Sequence, residues 1–284
     1  MPAVASPPPR VSRSSGGSLW GAAAAWTILR EQVILPARPR RSMTPSHSLQ
    51  LALAALAVLF AFGARGVSGF GSGMIAVPLL AILFPLTRVV PAVAVLNYLA
   101  ALWIGFKDFR RAAWRELGLL LPAALAGLAL ALPIFHALSP ILLRRLLGGW
   151  LLLQAARSLA RAPPRAASRG WALPAGLLGG ITDGLFSIGG PVYAAYLGRR
   201  ELEKSVFRAT LTMLLVLESS LRLIGYGATG ILDRSAIGFA AALLPVAFLG
   251  LLLGERLHGR LPEQLFRRIV SLLILASGLV LLAT

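Results

Sequence analysis

Three ionisable residues, Asp183, Glu218 and Arg222, stand inside otherwise apolar stretches of this 284-residue chain. A charge at the middle of a bilayer costs roughly 3 kcal/mol on insertion scales, which makes such residues functional candidates by default. Glu218 and Arg222 are four residues apart with the acid first, a spacing that lets them pair on one helix face. In one reading Arg222 contacts an anionic substrate and Glu218 is its proton-carrying partner. In the other, the pair is neutralised and only sets helix packing. Asp183 sits in a glycine-rich stretch, where it would cap a helix start, titrate during transport or sit near the interface in water. Asn97 and Tyr98 fall in a matching apolar segment and are weaker candidates for lining a site.

Two glycine clusters add a second kind of chemistry. They are Gly69-Phe-Gly71-Ser72-Gly73 and Ser187-Ile-Gly189-Gly190-Pro191, each followed by an apolar run. A helix starting there presents unpaired N–H groups and a positive dipole end. Glycine lets an anion approach that backbone, and Ser72 or Ser187 adds a hydroxyl. Pro191 suits a first helical turn, where its missing N–H has no partner to lose. The competing reading is close packing, since Gly69/Gly73 and Gly180/Gly184 are GxxxG pairs.

The elements that must position these groups are membrane helices. The chain is 57% hydrophobic and 13% charged, about half the charge of an ordinary soluble domain. Its apolar segments run over 48–84, 89–106, 117–138, 140–160, 171–198, 209–228, 235–257 and 262–283, most near the roughly 20 residues of a bilayer span. As single helices, 48–84 and 171–198 would reach about 55 and 42 Å, too long for straight rods across a core of about 30 Å. Both are interrupted by the glycine clusters, and both are expected to be helical hairpins.

The net charge of +18 falls between apolar segments, as loops facing an anionic leaflet require. No basic stripe is interleaved with exposed aromatics, so nucleic acid is not an expected partner. Cysteine is absent and His47, His136 and His258 are far apart. Together with the lack of HExxH and Gly-x-Ser-x-Gly patterns, this argues against an enzyme, a metal site or a cofactor. Residues 1–42 hold six arginines, one acid and the run Pro7-Pro8-Pro9. Such a stretch buries little and is expected to be disordered, with translation starting at Met43 as the favoured alternative to a transit peptide.

The halves repeat. Gly66 matches Gly184, Gly71 matches Gly189 and Ser72 matches Gly190, all 118 residues apart. Arg88 and Gly105 match Arg208 and Gly225 at 120, and Leu121-Pro122, Gly127 and Arg144-Arg145 match Leu244-Pro245, Gly250 and Arg267-Arg268 at 123. The expected layout is an extension (1–47), repeat 1 (48–160), a cytoplasmic linker (161–170) and repeat 2 (171–284). Loops 107–116, 157–170, 199–208 and 255–268 each carry four Lys/Arg. They all become cytoplasmic only if each glycine segment enters and leaves on one side, which makes the repeats inverted.

Gly69-Phe-Gly-Ser-Gly-Met-Ile-Ala-Val-Pro-Leu-Leu80, Gly184-Leu-Phe-Ser-Ile-Gly-Gly-Pro191 and Leu265-Phe-Arg-Arg-Ile-Val-Ser-Leu-Leu-Ile-Leu-Ala-Ser-Gly278, with the eight-segment layout, resemble the TauE/SafE sulfite exporter family over about 48–284. The clusters depart from that family's fuller Gly-Gly-Gly form. The resemblance implies transport of sulfite, sulfoacetate or related sulfur anions across a bacterial inner membrane. The expected fold is all-α and polytopic, with a substrate site at Gly69, Gly71, Ser72, Gly73, Asn97, Asp183, Ser187, Gly189, Gly190, Pro191 and Arg222. Glu218, Arg222 and Asp183 are the expected coupling or ion-pair groups. The alternatives are a non-transporting membrane scaffold and a cation transporter using Asp183 and Glu218.

Overall fold

A computed structural model describes residues 47–159, 168–257 and 263–283, and shows ten α-helices and no strand among them. The helices are α1 (His47–Ser68), α2 (Ser72–Leu83), α3 (Leu86–Asp108), α4 (Trp114–Ala137), α5 (Pro140–Leu159), α6 (Ala172–Phe186), α7 (Gly190–Leu197), α8 (Lys204–Ala228), α9 (Arg234–Leu257) and α10 (Glu263–Ala283). The N-terminal stretch and most of 161–170 lie outside the described residues, as do the side chains of Arg267 and Arg268.

Among the described residues, five helices are long and apolar enough to cross a membrane: Ser48–Ser68, Leu86–Phe106, Trp114–Ala137, Lys204–Ala228 and Arg234–Leu257. The eight apolar stretches are therefore not eight equal rods. Residues 48–84 divide into α1 and the 12-residue α2, and 171–198 divide into α6 and the 8-residue α7. Large apolar side chains such as Leu56, Leu173 and Ile224 point outward, while Arg65, Asp183, Glu218 and Arg222 are buried. A soluble protein has the opposite arrangement, and a bundle facing lipid has this one.

The two breaks have local causes. Gly69 and Gly71 both take left-handed backbone, with φ of 85° and 90°, a conformation glycine adopts without steric cost. The Gly69 N–H returns to the Arg65 carbonyl at 2.6 Å, closing α1. In the second half Ser187 is left-handed at φ 59°, and its N–H closes α6 on the Asp183 carbonyl at 2.8 Å. Gly69 and Ser187 are 118 residues apart, the same spacing as the other matches in this part of the chain. A non-glycine residue pays about 1 kcal/mol for such a conformation. The Ser187 hydroxyl offsets that by donating to the Val90 carbonyl at 3.2 Å.

Packing exchanges the halves. α1 lies on α9 while its counterpart α6 lies on α4, α3 lies on α8, and α5 lies on α10. A Cβ placed on Gly250 would strike the Leu59 carbonyl and come within 3.2 Å of the Gly63 nitrogen. One on Gly127 would strike the Leu177 carbonyl and come within 2.9 Å of the Ile181 nitrogen. Each pair of contacts is the other shifted by the repeat offsets. Backbone-on-backbone approach of this kind is how small residues join helices in lipid. Gly127→Ala and Gly250→Ala should each lower thermal stability in detergent by at least about 1–3 kcal/mol. Gly118→Ala and Gly238→Ala, where a Cβ meets nothing within 4 Å, should cost nothing measurable.

Candidate functional site

The end of α1 contributes Arg65. It is 3% exposed, and its Nη1 donates to Ser72 Oγ at 3.1 Å and to Asn97 Oδ1 at 3.3 Å. Ser72 also donates to Asn97 Oδ1 at 2.6 Å, so the start of α2 and the middle of α3 are tied to the end of α1. Asn97 Nδ2 points on to the Ser187 carbonyl at 3.5 Å, which links the first break to the second.

The second break is organised by Asp183. Its Oδ2 lies 2.5 Å from Arg222 Nη1, and its Oδ1 accepts the Gly189 N–H at 2.9 Å. Arg222 Nη1 also donates to the Asp183 carbonyl at 3.0 Å, and Nη2 donates to Ser219 Oγ at 3.1 Å. Asp183 thus caps the start of α7, one of the roles open to it from sequence, and neutralises Arg222 as well. The pairing expected between Glu218 and Arg222 is replaced by this one. Glu218 turns to Tyr193, whose hydroxyl donates to Oε1 at 2.7 Å. Sequence spacing permits the i, i+4 contact, but a carboxylate from α6 that also caps α7 is better placed for the guanidinium.

Between the breaks is a cavity of about 20 Å³, room for a water molecule. Of the residues expected at a substrate site, Gly71, Gly73, Asn97, Asp183, Ser187, Gly190, Pro191 and Arg222 line it. Ser72 is just behind, turned to Arg65 and Asn97. Gly189 gives its N–H to Asp183 and has no room for a side chain, since a Cβ would sit 2.6 Å from Asp183 Cβ. Gly69 faces the Arg208 side chain and does not line the cavity. Glu218 does not line it either.

Two expectations change in detail. At the start of α7 the Gly189 N–H is already taken by the Asp183 carboxylate, so that donor is not free for an anion. Of the GxxxG pairs, Gly180 and Gly184 do pack, against Ala124 and Ala131 of α4, whereas Gly73 meets Ser187 and Asn97 across the two breaks.

Arg65, Met74, Ile188, Leu215 and Ser219 also line the cavity and are not among the residues expected there from sequence. The signal for Arg65 was present: it stands 118 residues before Asp183. Arg65 Nε and Nη2 and Arg222 Nε are buried donors with no hydrogen-bond partner among the described residues. Buried polar groups are nearly always satisfied, and these three nitrogens belong to two cavity-lining residues whose guanidinium groups suit a planar or tetrahedral oxyanion. No cluster of three or more His, Asp or Glu able to hold a metal occurs among the described residues.

A third polar cluster lies apart from the cavity. Glu116 of α4 accepts from Tyr196 at 2.9 Å, from Arg200 at 3.0 and 3.2 Å, and from Arg169 at 3.4 Å. It joins α4 to the end of α7 and to the segments flanking α6 and α7.

The chain is similar to the "Probable inner membrane transporter protein TsaS" of Comamonas testosteroni, 34% identical over 196 residues, which is 66% of this chain and 80% of the relative. It is also similar to the "Probable sulfite/organosulfonate exporter TauE" of Cupriavidus necator, 28% identical over 222 residues, 75% of this chain and 86% of the relative. No solved structure gives a significant match. The sulfite exporter TauE/SafE family matches residues 52–281, and with that coverage the chain belongs to this family of membrane transporters, which are not enzymes.

Proposed function

We propose that the chain is a secondary permease of the bacterial inner membrane for a small sulfur-containing anion, sulfite or an organosulfonate such as sulfoacetate, bound between the two helix breaks. The observation that carries this reading is that Arg65 and Arg222, each with unpartnered buried guanidinium nitrogens, both line one cavity between the two breaks. The Cupriavidus necator relative is named a probable sulfite/organosulfonate exporter, which supports a sulfur anion as the substrate class. Arg65 and Arg222 outweigh Asp183, so the cavity is positive. The cation reading loses support because both Asp183 oxygens are engaged, one by Arg222 and one by the Gly189 N–H.

The two halves, 48–160 and 171–284, act as inverted repeats joined by a cytoplasmic linker at 161–170. The exchanged packing of α1 on α9 and α6 on α4 supports a two-fold relation, and the four basic loops support an axis in the membrane plane. A cavity of about 20 Å³ is too small for a sulfonate. Admitting substrate therefore requires the two breaks to move apart, and the repeats separate to do so from either side.

Uptake of labelled sulfite, sulfoacetate and sulfate into proteoliposomes tests the reading, with Gly73→Ala alongside the native protein. A Cβ on Gly73 would collide with the Ser187 carbonyl, pushing the breaks apart. Uptake by Gly73→Ala should fall at least about tenfold while the protein still inserts. Native uptake no higher than in empty vesicles for all three anions would sink the proposal. So would full activity in Gly73→Ala.

A further inference from the structure

The anion site leaves one buried acid without a task. Glu218 is fully buried on α8, one turn before Arg222. Its Oε1 is held by the Tyr193 hydroxyl, and its Oε2 has no partner among the described residues. Tyr193 is itself fully buried, and a Cβ on Gly179 would fall inside its ring, so the phenol is fixed in place.

The charged and titratable groups acting on Glu218 are Tyr193 from α7, Asp183 from α6 and Arg222 on its own helix. Arg65 of α1 lies at the same cavity as Asp183 and Arg222. Of the other helices packed on α8, α3 meets it with Gly105 against Val216 and Thr212, and α4 with Leu132 against Gly225. The single acid of α4, Glu116, is engaged with Tyr196, Arg200 and Arg169.

The charges then add simply. Arg65 and Arg222 contribute two positive charges and Asp183 one negative, leaving one positive charge. An ionised Glu218 brings the buried cluster to zero, and a protonated Glu218 leaves it positive. An interior of low polarity tolerates balanced charge and strongly penalises a net one. A bound monoanion restores balance only when Glu218 carries a proton, and an empty site restores it only when Glu218 has released that proton.

We propose that Glu218 is the proton-carrying group of the transport cycle, taking up one proton when a monoanion binds and releasing it when the monoanion leaves. This rests on the anion-transport reading above and adds the coupling ion to it. The O–H bond forms at Oε2, the oxygen that Tyr193 leaves free, and breaks there to deliver the proton to water on the side where the anion departs. No electrons are transferred. The loaded and empty carriers are both neutral, so both can reorient across the membrane, whereas a carrier holding only one of the two ions is charged and cannot.

The test uses the full chain in proteoliposomes with methanesulfonate, whose charge is fixed across the physiological pH range. Sulfite would confound the measurement because it takes up protons itself. A methanesulfonate gradient should move protons in the same direction, read by a pH dye in the lumen. In Glu218→Gln, exchange of labelled for unlabelled methanesulfonate should persist, proton movement should vanish, and net efflux into anion-free buffer should fall at least about tenfold. Tyr193→Phe removes the fixed hydroxyl but keeps the ring. It should displace the pH midpoint of net efflux and leave exchange at its native rate, which decides the matter if Glu218→Gln does not insert. Robust native exchange without proton movement overturns the coupling and spares the transport reading. Proton movement that survives in Glu218→Gln, exchange and net efflux falling together, or an unmoved midpoint in Tyr193→Phe does the same. No exchange of methanesulfonate and no uptake of sulfite by the native protein overturns both.

Discussion

Asp183→Asn is expected to destabilise the folded protein by about 3–5 kcal/mol, the cost of leaving a buried guanidinium without its counter-charge. The substitution isolates charge from capping, because an asparagine oxygen can still accept the Gly189 N–H that Asp183 Oδ1 accepts at 2.9 Å. What it removes is the negative charge 2.5 Å from Arg222 Nη1. Both Arg222 and Arg65 are then buried with no carboxylate on the cavity. The loss should appear as a lower unfolding temperature in detergent and reduced recovery of monodisperse protein. Adding Arg222→Gln to the same chain should restore much of the stability, since a neutral pair avoids the uncompensated charge, while leaving transport abolished. A single Asp183→Asn variant as stable as the native chain would show that the Asp183–Arg222 pair is not formed.

The second large effect is on binding. Arg65→Gln should weaken the apparent affinity for sulfite or sulfoacetate by at least about 100-fold, as truncating one partner of a buried, charge-assisted contact usually does. Stability should change little. The Ser72–Asn97 hydrogen bond survives without Arg65, and Glu218 can take up a proton to keep the buried cluster balanced once that cation is gone. Arg65→Lys should recover only part of the affinity, because an ammonium keeps the charge and loses the planar fork. Arg110→Gln, at an exposed position, is the control. Saturation curves for labelled uptake give the answer, and an Arg65→Gln curve within about threefold of native would remove Arg65 from the site.

Much of the lining of the candidate site was readable from residue types alone. Asp183 and Arg222 stand out because a charge in an apolar run needs a reason, and Gly71, Gly73, Ser187 and Gly190 stand out because glycine and serine interrupt helices at repeat-matched places. Arg65 was harder to see. It stands at the edge of a glycine-rich stretch that invites attention to backbone rather than to side chains, and its repeat counterpart is an acid, which hides the match from a search for like residues.

Partner choice was not readable at all. Glu218 and Arg222 satisfy a good local rule, yet Arg222 pairs with a residue 39 positions away because α6 and α8 meet where Asp183 closes one helix and opens another. The number of full-length spans was also beyond reach, since hydropathy reports where lipid-compatible residues lie and not where the chain turns within them.

Composition and segment length determined that this is an all-helical membrane protein, because burial in lipid constrains every apolar segment separately and leaves its mark residue by residue. Tertiary structure alone decided which charges face one another, which glycines serve packing and which serve the cavity, and that Glu218 stands apart from the pair. Those outcomes depend on distances between helices remote in the chain, and no rule of spacing along a single helix contains them.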